Sequence, residues 1–314
     1  MIGKSGVFII AEAGVNHNGD IDLAKKLVDS ACEAGVDAVK FQTWKTELVV
    51  TQDVAQAEYQ SENIGESGTQ YRMLKALELS YEDFRELKAY CDAKGILFLS
   101  TADEPQSAEF LLELQDIFKI GSGEITNIPF LRYMGSLGKE LILSSGIATL
   151  GEVDTALRTI IQAGTPKERI TLLHVTTQYP TPMNEVNLRA MQTMREAFGI
   201  KVGYSDHTMG IEVPIAAVAL GACIIEKHFT LSRKMQGPDH KASLEPHELK
   251  AMVTAIRNIE AALGNGIKEP QPSELANKAV VQKFILAACE IKKGQTLTPQ
   301  MLFVKRASGG IPSS

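Results

Sequence analysis

Charged side chains stand inside segments of the sequence that are otherwise apolar and β-branched. Lys40 lies within AVKFQT, Lys119 within IFKIGSGE and Glu12 within VFIIAEAG. A buried charge is costly unless it has a partner or a ligand, and a cation in such a place commonly binds an anion. Hydroxyl groups that can donate to phosphate oxygens occur near the ends of similar segments at Thr101, Ser122, Ser144 and Thr177. The pattern favours an anion site, and an internal salt bridge of the lysines to Glu12 or Glu124 is the alternative.

Two histidines follow the last two segments of this kind. His207 ends GYSDHT, and His228 lies in CIIEKHFT. Two imidazoles on neighbouring strands could bind one divalent ion and leave positions open for water and a carbonyl substrate, which is what a Lewis-acid site requires. The acids Asp206 or Glu226 could orient them. A hydrogen-bonded structural role is the alternative for each histidine.

The remaining candidates fit a polyol substrate and proton transfer. Glu12 and Glu124 are carboxylates at strand ends, a position that suits general acid or base catalysis. Asp239 lies in the GPDHKASLEP loop, whose other polar groups predict a helix entry with Ser243 as the N-cap. Tyr179, in QYPTP, either packs before a proline-rich turn or closes over a sugar.

The elements that position these residues alternate between strand and helix patterns. Eight apolar segments are predicted as strands: 7–14, 38–43, 96–101, 117–124, 140–146, 170–177, 200–208 and 223–230. Helix signals lie between them, such as Asp20 before an apolar stripe and a capping box at Thr149-x-x-Glu152. Eight units over this length predict an α/β fold of the (β/α)8 TIM-barrel type, in which chemistry occurs at the carboxyl ends of the strands. A doubly wound sheet is the alternative.

Three regions are expected along the chain. Residues 1–265 form the barrel, 266–280 a polar linker with two prolines, and 281–314 a small domain of short strands. The polar segment 44–78 is too long for an ordinary loop and predicts a lid over the barrel mouth. The tail is too small to build a core alone, so we expect it to dock elsewhere in a homodimer.

Composition excludes several classes of protein. The 314 residues carry 32 Lys and Arg against 38 Asp and Glu, without a basic cluster, so we expect no nucleic-acid partner. No apolar run is long enough for a membrane helix, and we expect no membrane partner. Four scattered cysteines without a CxxC pair fit a reducing compartment, so a cytoplasmic location is expected.

A set of motifs in a fixed order covers the whole chain. They are IIAEAGVNHNGD, VKFQT, KIGSGEITNIP, ILSSGIATL, LLHVTTQYPTP, GYSDHT, GACIIEKHFTL and GPDHKASLEP, followed by IKKGQTLTPQMLFVKR. In these the sequence resembles the bacterial sialic acid (N-acetylneuraminate) synthase family, with its legionaminate and pseudaminate relatives. The tail resembles the N-terminal part of the antifreeze-like (SAF) domain of that family.

The resemblance implies a reaction and roles. C3 of phosphoenolpyruvate would attack the aldehyde of an open-chain N-acetylmannosamine or its 2,4-diacetamido-6-deoxy analogue, water would add at C2, and phosphate would leave by C–O cleavage. His207 and His228 match ligands of a divalent metal, Mn2+ or else Mg2+ or Co2+. Matched substrate contacts are Lys40, Thr101, Lys119, Ser122, Ser144 and Thr177 for phosphoenolpyruvate, Glu12 and Glu124 for acid, base or sugar, and Tyr179 and Asp239 for the sugar.

The resemblance also concerns the tail. Arg306, in VKR, matches an arginine that reaches the partner's active site in a domain-swapped homodimer. The sequence departs from the family at Val175, where many relatives have Cys, and in the tail ASGGIPSS, which directly follows Arg306.

Two other classes of protein remain open from the residues alone. One is a Schiff-base sugar aldolase, with Lys40 or Lys119 as its nucleophile. The other is a non-catalytic carbohydrate-binding barrel.

Overall fold

The computed structural model describes residues 6–65 and 68–313. The chain divides into two compact units, one ending at Leu263 and the other beginning at Gly264.

The first unit is built on a closed barrel of eight parallel strands in sequence order. The strands are β1 Phe8–Gly14, β2 Ala38–Thr43, β3 Leu97–Ala102, β4 Ile117–Ile120, β5 Glu140–Ser144, β6 Ile170–His174, β7 Lys201–Asp206 and β8 Ile224–His228. Pairing of β1 with β8 closes the barrel. The (β/α)8 prediction is therefore confirmed and the doubly wound alternative is excluded. Strand β4 is shorter than expected because residues 122–124 form a 3-10 turn.

Helices cover the outside of the barrel or follow its strands. They are α1 Ile21–Ala34, α2 Thr46–Val49, α3 Glu58–Ile64, α4 Gln70–Leu77, α5 Tyr81–Lys94, α6 Pro105–Leu111, α7 Ile128–Ser136, α8 Leu150–Ala163, α9 Arg189–Phe198, α10 Glu212–Ala219 and α11 Pro246–Leu263. The expected starts of α1 and α8 are confirmed, since Asp20 accepts from two backbone N–H groups and Thr149 with Glu152 forms a capping box. No helix among the described residues is long and apolar enough to cross a membrane.

One predicted cap is wrong. Helix α11 begins at Pro246, and Ser243 lies before it without capping it. The Ser243 hydroxyl instead donates to the Asp239 carbonyl and accepts from Asn16 Nδ2. This serine therefore fixes the loop after β8 to the end of β1.

The barrel interior changes from apolar to polar along the strands. One layer consists of the buried side chains Ile10, Ala38, Leu99, Ile142, Leu173 and Ile224. Side chains alternate between the two faces of a strand, so the residue two positions further along also faces inward. In β1 this step leads from Ile10 to Glu12, and in β8 from Ile224 to Glu226. The apolar layer thus forms the floor beneath a polar barrel mouth.

The segment 44–78 forms three short helices, α2 to α4, after β2. Met73 and Leu77 of α4 pack with Trp44 and with Val15, which follows β1. Asn63 of α3 donates to the carbonyl of Pro238, in the loop after β8. The segment is therefore anchored to loops at the carboxyl ends of β1 and β8.

The second unit contains helix α12, Pro272–Val281, and a three-stranded antiparallel sheet of order β10, β9, β11. Its strands are β9 Lys283–Ala287, β10 Leu302–Arg306 and β11 Ile311–Pro312. Most of α12 falls in the segment 266–280 that was expected to be a linker. Pro272 at the first turn and a capping box of Gln271 with Glu274 start this helix.

Candidate active site

A cavity of about 190 Å³ opens at the carboxyl ends of the barrel strands. Ten of the predicted site residues line it: Glu12, Lys40, Thr101, Lys119, Ser122, Ser144, Thr177, Tyr179, His207 and His228. Others that line it include Gln42, Asp103, Val175, Ser205 and Glu226. Residues from all eight strands, or from the turns after them, therefore meet in one place.

The two lysines are held by carboxylates inside the barrel. Lys40 Nζ lies 2.6 Å from Glu12 Oε2 and 2.8 Å from Thr101 Oγ1. Lys119 Nζ lies 2.8 Å from Glu226 Oε1, which also accepts from the Ser205 hydroxyl. Internal salt bridges therefore exist, although Lys119 pairs with Glu226 and not with Glu124. These pairs leave the lysines at the cavity wall, where an added anion can reach them.

Burial and charge divide the two carboxylates into different protonation states. Burial raises the pKa of Glu12 from 4.5 to about 7, although Lys40 opposes the shift. Burial also acts to raise the pKa of Glu226, but Lys119 and Lys40 outweigh it and hold that pKa well below its usual range. Glu226 is consequently a permanent anion, whereas Glu12 can gain or lose a proton near neutral pH.

The pKa values of the two lysines are shifted in opposite directions. Burial acts to lower the pKa of Lys40, but the carboxylates of Glu12 and Glu226 outweigh it and the pKa is raised. For Lys119 burial dominates, and its pKa is lowered. Lys40 is therefore positively charged at neutral pH.

The two histidines face each other with their rings 5.3 Å apart between centroids. The Nδ1 atom of His207 lies 2.7 Å from the Thr176 carbonyl, which can only accept, so the Nδ1–H donates and Nε2 carries a lone pair. The Nδ1 atom of His228 is buried without a hydrogen-bond partner among the described residues and lies 3.9 Å from Asp239 Oδ2. Burial lowers the pKa of both imidazoles, that of His207 to about 4, so both are neutral at pH 7.

This pair fits the donor set of a divalent cation. Neutral imidazoles with free lone pairs are common metal ligands, and a buried unpartnered nitrogen calls for a partner. In the described part of the chain no group of three or more His, Cys, Asp or Glu side chains is arranged to hold a metal. A bound ion would therefore take its other ligands from water and substrate.

Two of the hydroxyl groups near the lysines, those of Ser122 and Thr177, lie so close to Gly146 that no larger residue fits there. A Cβ atom at Gly146, two residues after β5, would overlap the hydroxyl oxygens of Thr177 and Ser122. Because glycine has no side chain, both hydroxyls can turn toward the cavity. The ring of Tyr179 stacks on His207 at 4.0 Å between centroids and closes the other side.

Three predicted site residues do not line the cavity. Glu124 lies in the turn after β4, where its carboxylate accepts from Asn127 Nδ2. Asp239 is buried beside His228, and burial raises its pKa to about 6. Arg306 is the exposed last residue of β10, in the second unit.

Neither of the acids expected to orient the histidines contacts an imidazole. Glu226 binds Lys119, and Asp206 binds Lys227 on the other face of the strands. Asp103, directly after β3, was not singled out from the sequence. Its pKa is raised to about 7 by burial and by the charge of Glu124. Its position at the end of a strand was the available signal.

The chain is similar to known proteins over most of its length. The NeuB family model matches residues 27–268. The chain is 50% identical over 304 residues to the N,N'-diacetyllegionaminic acid synthase of Campylobacter jejuni, covering 96% of this chain and 91% of that protein. It is 48% identical to the protein of the same name from Legionella pneumophila, covering 98% of this chain and 87% of the relative.

A solved structure agrees with these relatives. The N-acetylneuraminic acid (sialic acid) synthetase of Leptospira borgpetersenii superposes with a TM-score of 0.76 at 38% identity, covering 87% of this chain and 90% of that one. Family model, full-length relatives and barrel geometry agree. The chain belongs to the NeuB family.

Proposed function

We propose that the protein condenses phosphoenolpyruvate with a 2,4-diacetamido-6-deoxymannose and water, giving N,N'-diacetyllegionaminate and phosphate. The observation that carries the proposal is the cavity in which two lysines and several hydroxyls lie beside two neutral histidines. The choice of sugar is supported by the two relatives at 50% and 48% identity that are named for this product. In the reaction, C3 of phosphoenolpyruvate bonds to the aldehyde carbon, water adds at C2, and the C2–O bond to phosphate breaks.

The lysine end of the cavity suits the anionic substrate. With Glu12 and Asp103 both protonated, the cations of Lys40 and Lys119 and the anion of Glu226 leave one net positive charge for phosphoenolpyruvate. The hydroxyls of Thr101, Ser122, Ser144 and Thr177 can donate to its phosphate and carboxylate oxygens. A protonated Glu12 no longer competes with the substrate for Lys40, because a neutral carboxyl binds a cation weakly.

Glu12 is the proposed general acid. Its raised pKa, about 7, allows it to carry a proton at neutral pH and to give it to the aldehyde oxygen as the new C–C bond forms. Three residues are proposed to contact the sugar. They are Tyr179, which stacks on His207, Asp239, which lies next to His228, and Glu124, in the turn after β4.

His207 and His228 are the proposed ligands of a divalent metal ion, Mn2+ or else Mg2+ or Co2+. When bound, such an ion supplies Lewis-acid polarisation of a carbonyl group. The protein's part is to keep both imidazoles neutral by burial and to hold His207 in one tautomer through Thr176.

The second unit is proposed to be antifreeze-like and to pair with a second copy of the chain, with Arg306 reaching the partner's site. Exposed apolar side chains of the second unit support this pairing. Val280, Leu297 and Ile311 are 66%, 57% and 68% exposed, and these apolar side chains would be stabilised by burial against a second copy. Light scattering tests this point, since a monomeric mass would contradict it.

The experiment that tests the reaction is phosphate release from phosphoenolpyruvate with Mn2+, using the diacetamido sugar or N-acetylmannosamine. We expect release that requires metal and strongly prefers the diacetamido sugar, and loss of release in His228→Asn. The matched control is His247→Asn, since His247 is exposed on α11 and should be neutral. Preference for N-acetylmannosamine would assign N-acetylneuraminate as the product instead, and absence of release with either sugar would contradict the proposal.

A further inference from the structure

A buried ion pair lies behind the two histidines, on the opposite face of β7 and β8. Lys227 Nζ lies 2.5 Å from Asp206 Oδ2, and both side chains are 0% exposed. The strand register places the two residues directly opposite each other. His207 and His228 line the cavity, whereas the residue before each of them points toward the helices, as strand alternation requires.

Lys227 binds the residues on both sides of His207. Its ammonium group binds the Asp206 carboxylate and also donates to the Thr208 carbonyl. Thr208 in turn donates to Asp206 through its backbone N–H at 3.1 Å and its hydroxyl at 3.0 Å. Residues 206 and 208 are therefore tied to a lysine that immediately precedes His228.

The buried pair of Asp206 and Lys227 contributes little to the stability of the fold, but it fixes the position of β7 relative to β8. Removing two charges from water costs nearly as much as their attraction returns, so replacing a buried ion pair by apolar residues is often neutral for stability. The network does, however, connect the main chain at His207 with the main chain at His228 through two fully buried side chains.

The two imidazoles need this support because their own side-chain contacts are few. His207 is oriented at Nδ1 by the Thr176 carbonyl, and the buried Nδ1 of His228 has no hydrogen-bond partner in the described part of the chain. The position of the His228 ring consequently depends on its backbone and on ring contacts. A site with only two protein ligands has a low affinity for metal, so binding depends strongly on the distance between the two imidazoles.

We propose that Asp206, Lys227 and Thr208 form a positioning network that sets the spacing of the His207 and His228 imidazoles for a divalent cation. The inference rests on the proposed metal site. The network touches neither substrate nor metal, and acts through the backbone of β7 and β8.

The test is calorimetric titration of the full chain with Mn2+, without substrates. The variant Asp206→Leu with Lys227→Met removes both charges together and avoids an unpaired buried charge. We expect its Kd for Mn2+ to rise about 10- to 100-fold, the range found when residues that support metal ligands are lost. Its affinity for phosphoenolpyruvate should stay near that of the unmodified protein, and its thermal midpoint should fall, because the buried polar groups of Thr208 lose their partners.

A matched control alters another buried anchor. Gln115 holds the backbone N–H and carbonyl of Ser100 in β3 at 2.6 and 2.8 Å, away from both histidines. Gln115→Leu should lower the thermal midpoint and leave the Kd for Mn2+ unchanged. This separates general loosening of the barrel from loss of metal positioning.

A milder variant keeps the inference testable if the double variant does not fold. Thr208→Val removes one hydroxyl bond to Asp206 and should weaken Mn2+ binding about fivefold, the equivalent of one buried hydrogen bond. Unchanged Mn2+ affinity in the folded variants would overturn the positioning role alone. An unmodified protein that binds no Mn2+ would overturn the proposed metal site and the inference with it.

Discussion

Glu12→Gln is the substitution that probes the proposed chemistry most sharply. Glu12 is 1% exposed, and its carboxylate lies 2.6 Å from Lys40 Nζ. Glutamine keeps the size of the side chain and cannot exchange a proton near neutral pH. We therefore expect folding to survive and proton donation to the aldehyde to be lost.

The expected loss of rate follows from the role of a general acid. Such a group typically contributes about 100- to 10,000-fold, which corresponds to about 3 to 5 kcal/mol of transition-state free energy. In the unmodified protein kcat/KM should fall as the pH rises through about 7, because Glu12 must be protonated to act as the acid. The variant should lack this fall.

Stability should change with pH in a linked way. The folded-state pKa of Glu12 is raised from 4.5 to about 7, so the favourable contribution is full below 4.5 and is lost as the pH rises through 7. A shift of this size corresponds to about 3 kcal/mol of unfolding free energy at ~1.36 kcal/mol per unit. Glu12→Gln should remove this part of the pH dependence.

The assay is phosphate release measured at pH values on both sides of 7, together with urea unfolding at the same pH values. The matched control is Glu109→Gln, an exposed glutamate on α6, which should keep the activity and pH profile of the unmodified protein. A Glu12→Gln protein with nearly full activity, or with the same fall in kcat/KM near pH 7, would refute the assignment of Glu12 as the acid.

Three further outcomes follow from the structure. Gly146→Ala should raise the KM for phosphoenolpyruvate at least about tenfold, since a methyl group there overlaps the hydroxyls of Thr177 and Ser122; unchanged KM in steady-state kinetics would contradict this anion site. Ile142→Ala should lower the free energy of unfolding by about 2–5 kcal/mol, because Ile142 is fully buried in the barrel floor. Urea denaturation measures this loss, and a smaller value would mean that neighbouring side chains fill the cavity. Borohydride with pyruvate should trap no adduct on Lys40, whose pKa is raised, and a modified Lys40 peptide in mass spectrometry would favour the Schiff-base alternative.

Periodicity explains why the fold and the cavity could be predicted from sequence. Apolar β-branched runs mark the strands, and a charge two residues after an inward apolar residue must also face inward. Ile10 and Glu12 illustrate this in β1, as do Ile224 and Glu226 in β8. Local patterns of this kind are enough to place a side chain at the barrel mouth.

Pairing across the barrel could not be predicted in the same way. Lys119 and Glu226 are 107 residues apart in sequence, and their contact depends on how the closed barrel brings β4 and β8 across from each other. The pairing of Asp206 with Lys227 depends on strand register and on the outward face. The position of Asp206 next to His207 in the sequence suggests an orienting acid, although strand alternation turns Asp206 away from the cavity.

The small second unit shows another limit. Its polar, proline-containing segment indicated a linker, yet Pro272 and the Gln271–Glu274 capping box begin a helix there. Local capping chemistry thus outweighed overall polarity.

The most direct test of the central claim uses phosphoenolpyruvate with a heavy-oxygen label in the bridging C2–O–P position. The reaction is run with the diacetamido sugar and Mn2+, and the phosphate and nine-carbon product are analysed by mass spectrometry. Condensation with C–O cleavage predicts that the label leaves in the phosphate and that the product takes its C2 oxygen from water. Label retained in the product, or phosphate released without a nine-carbon product, would contradict the proposed reaction.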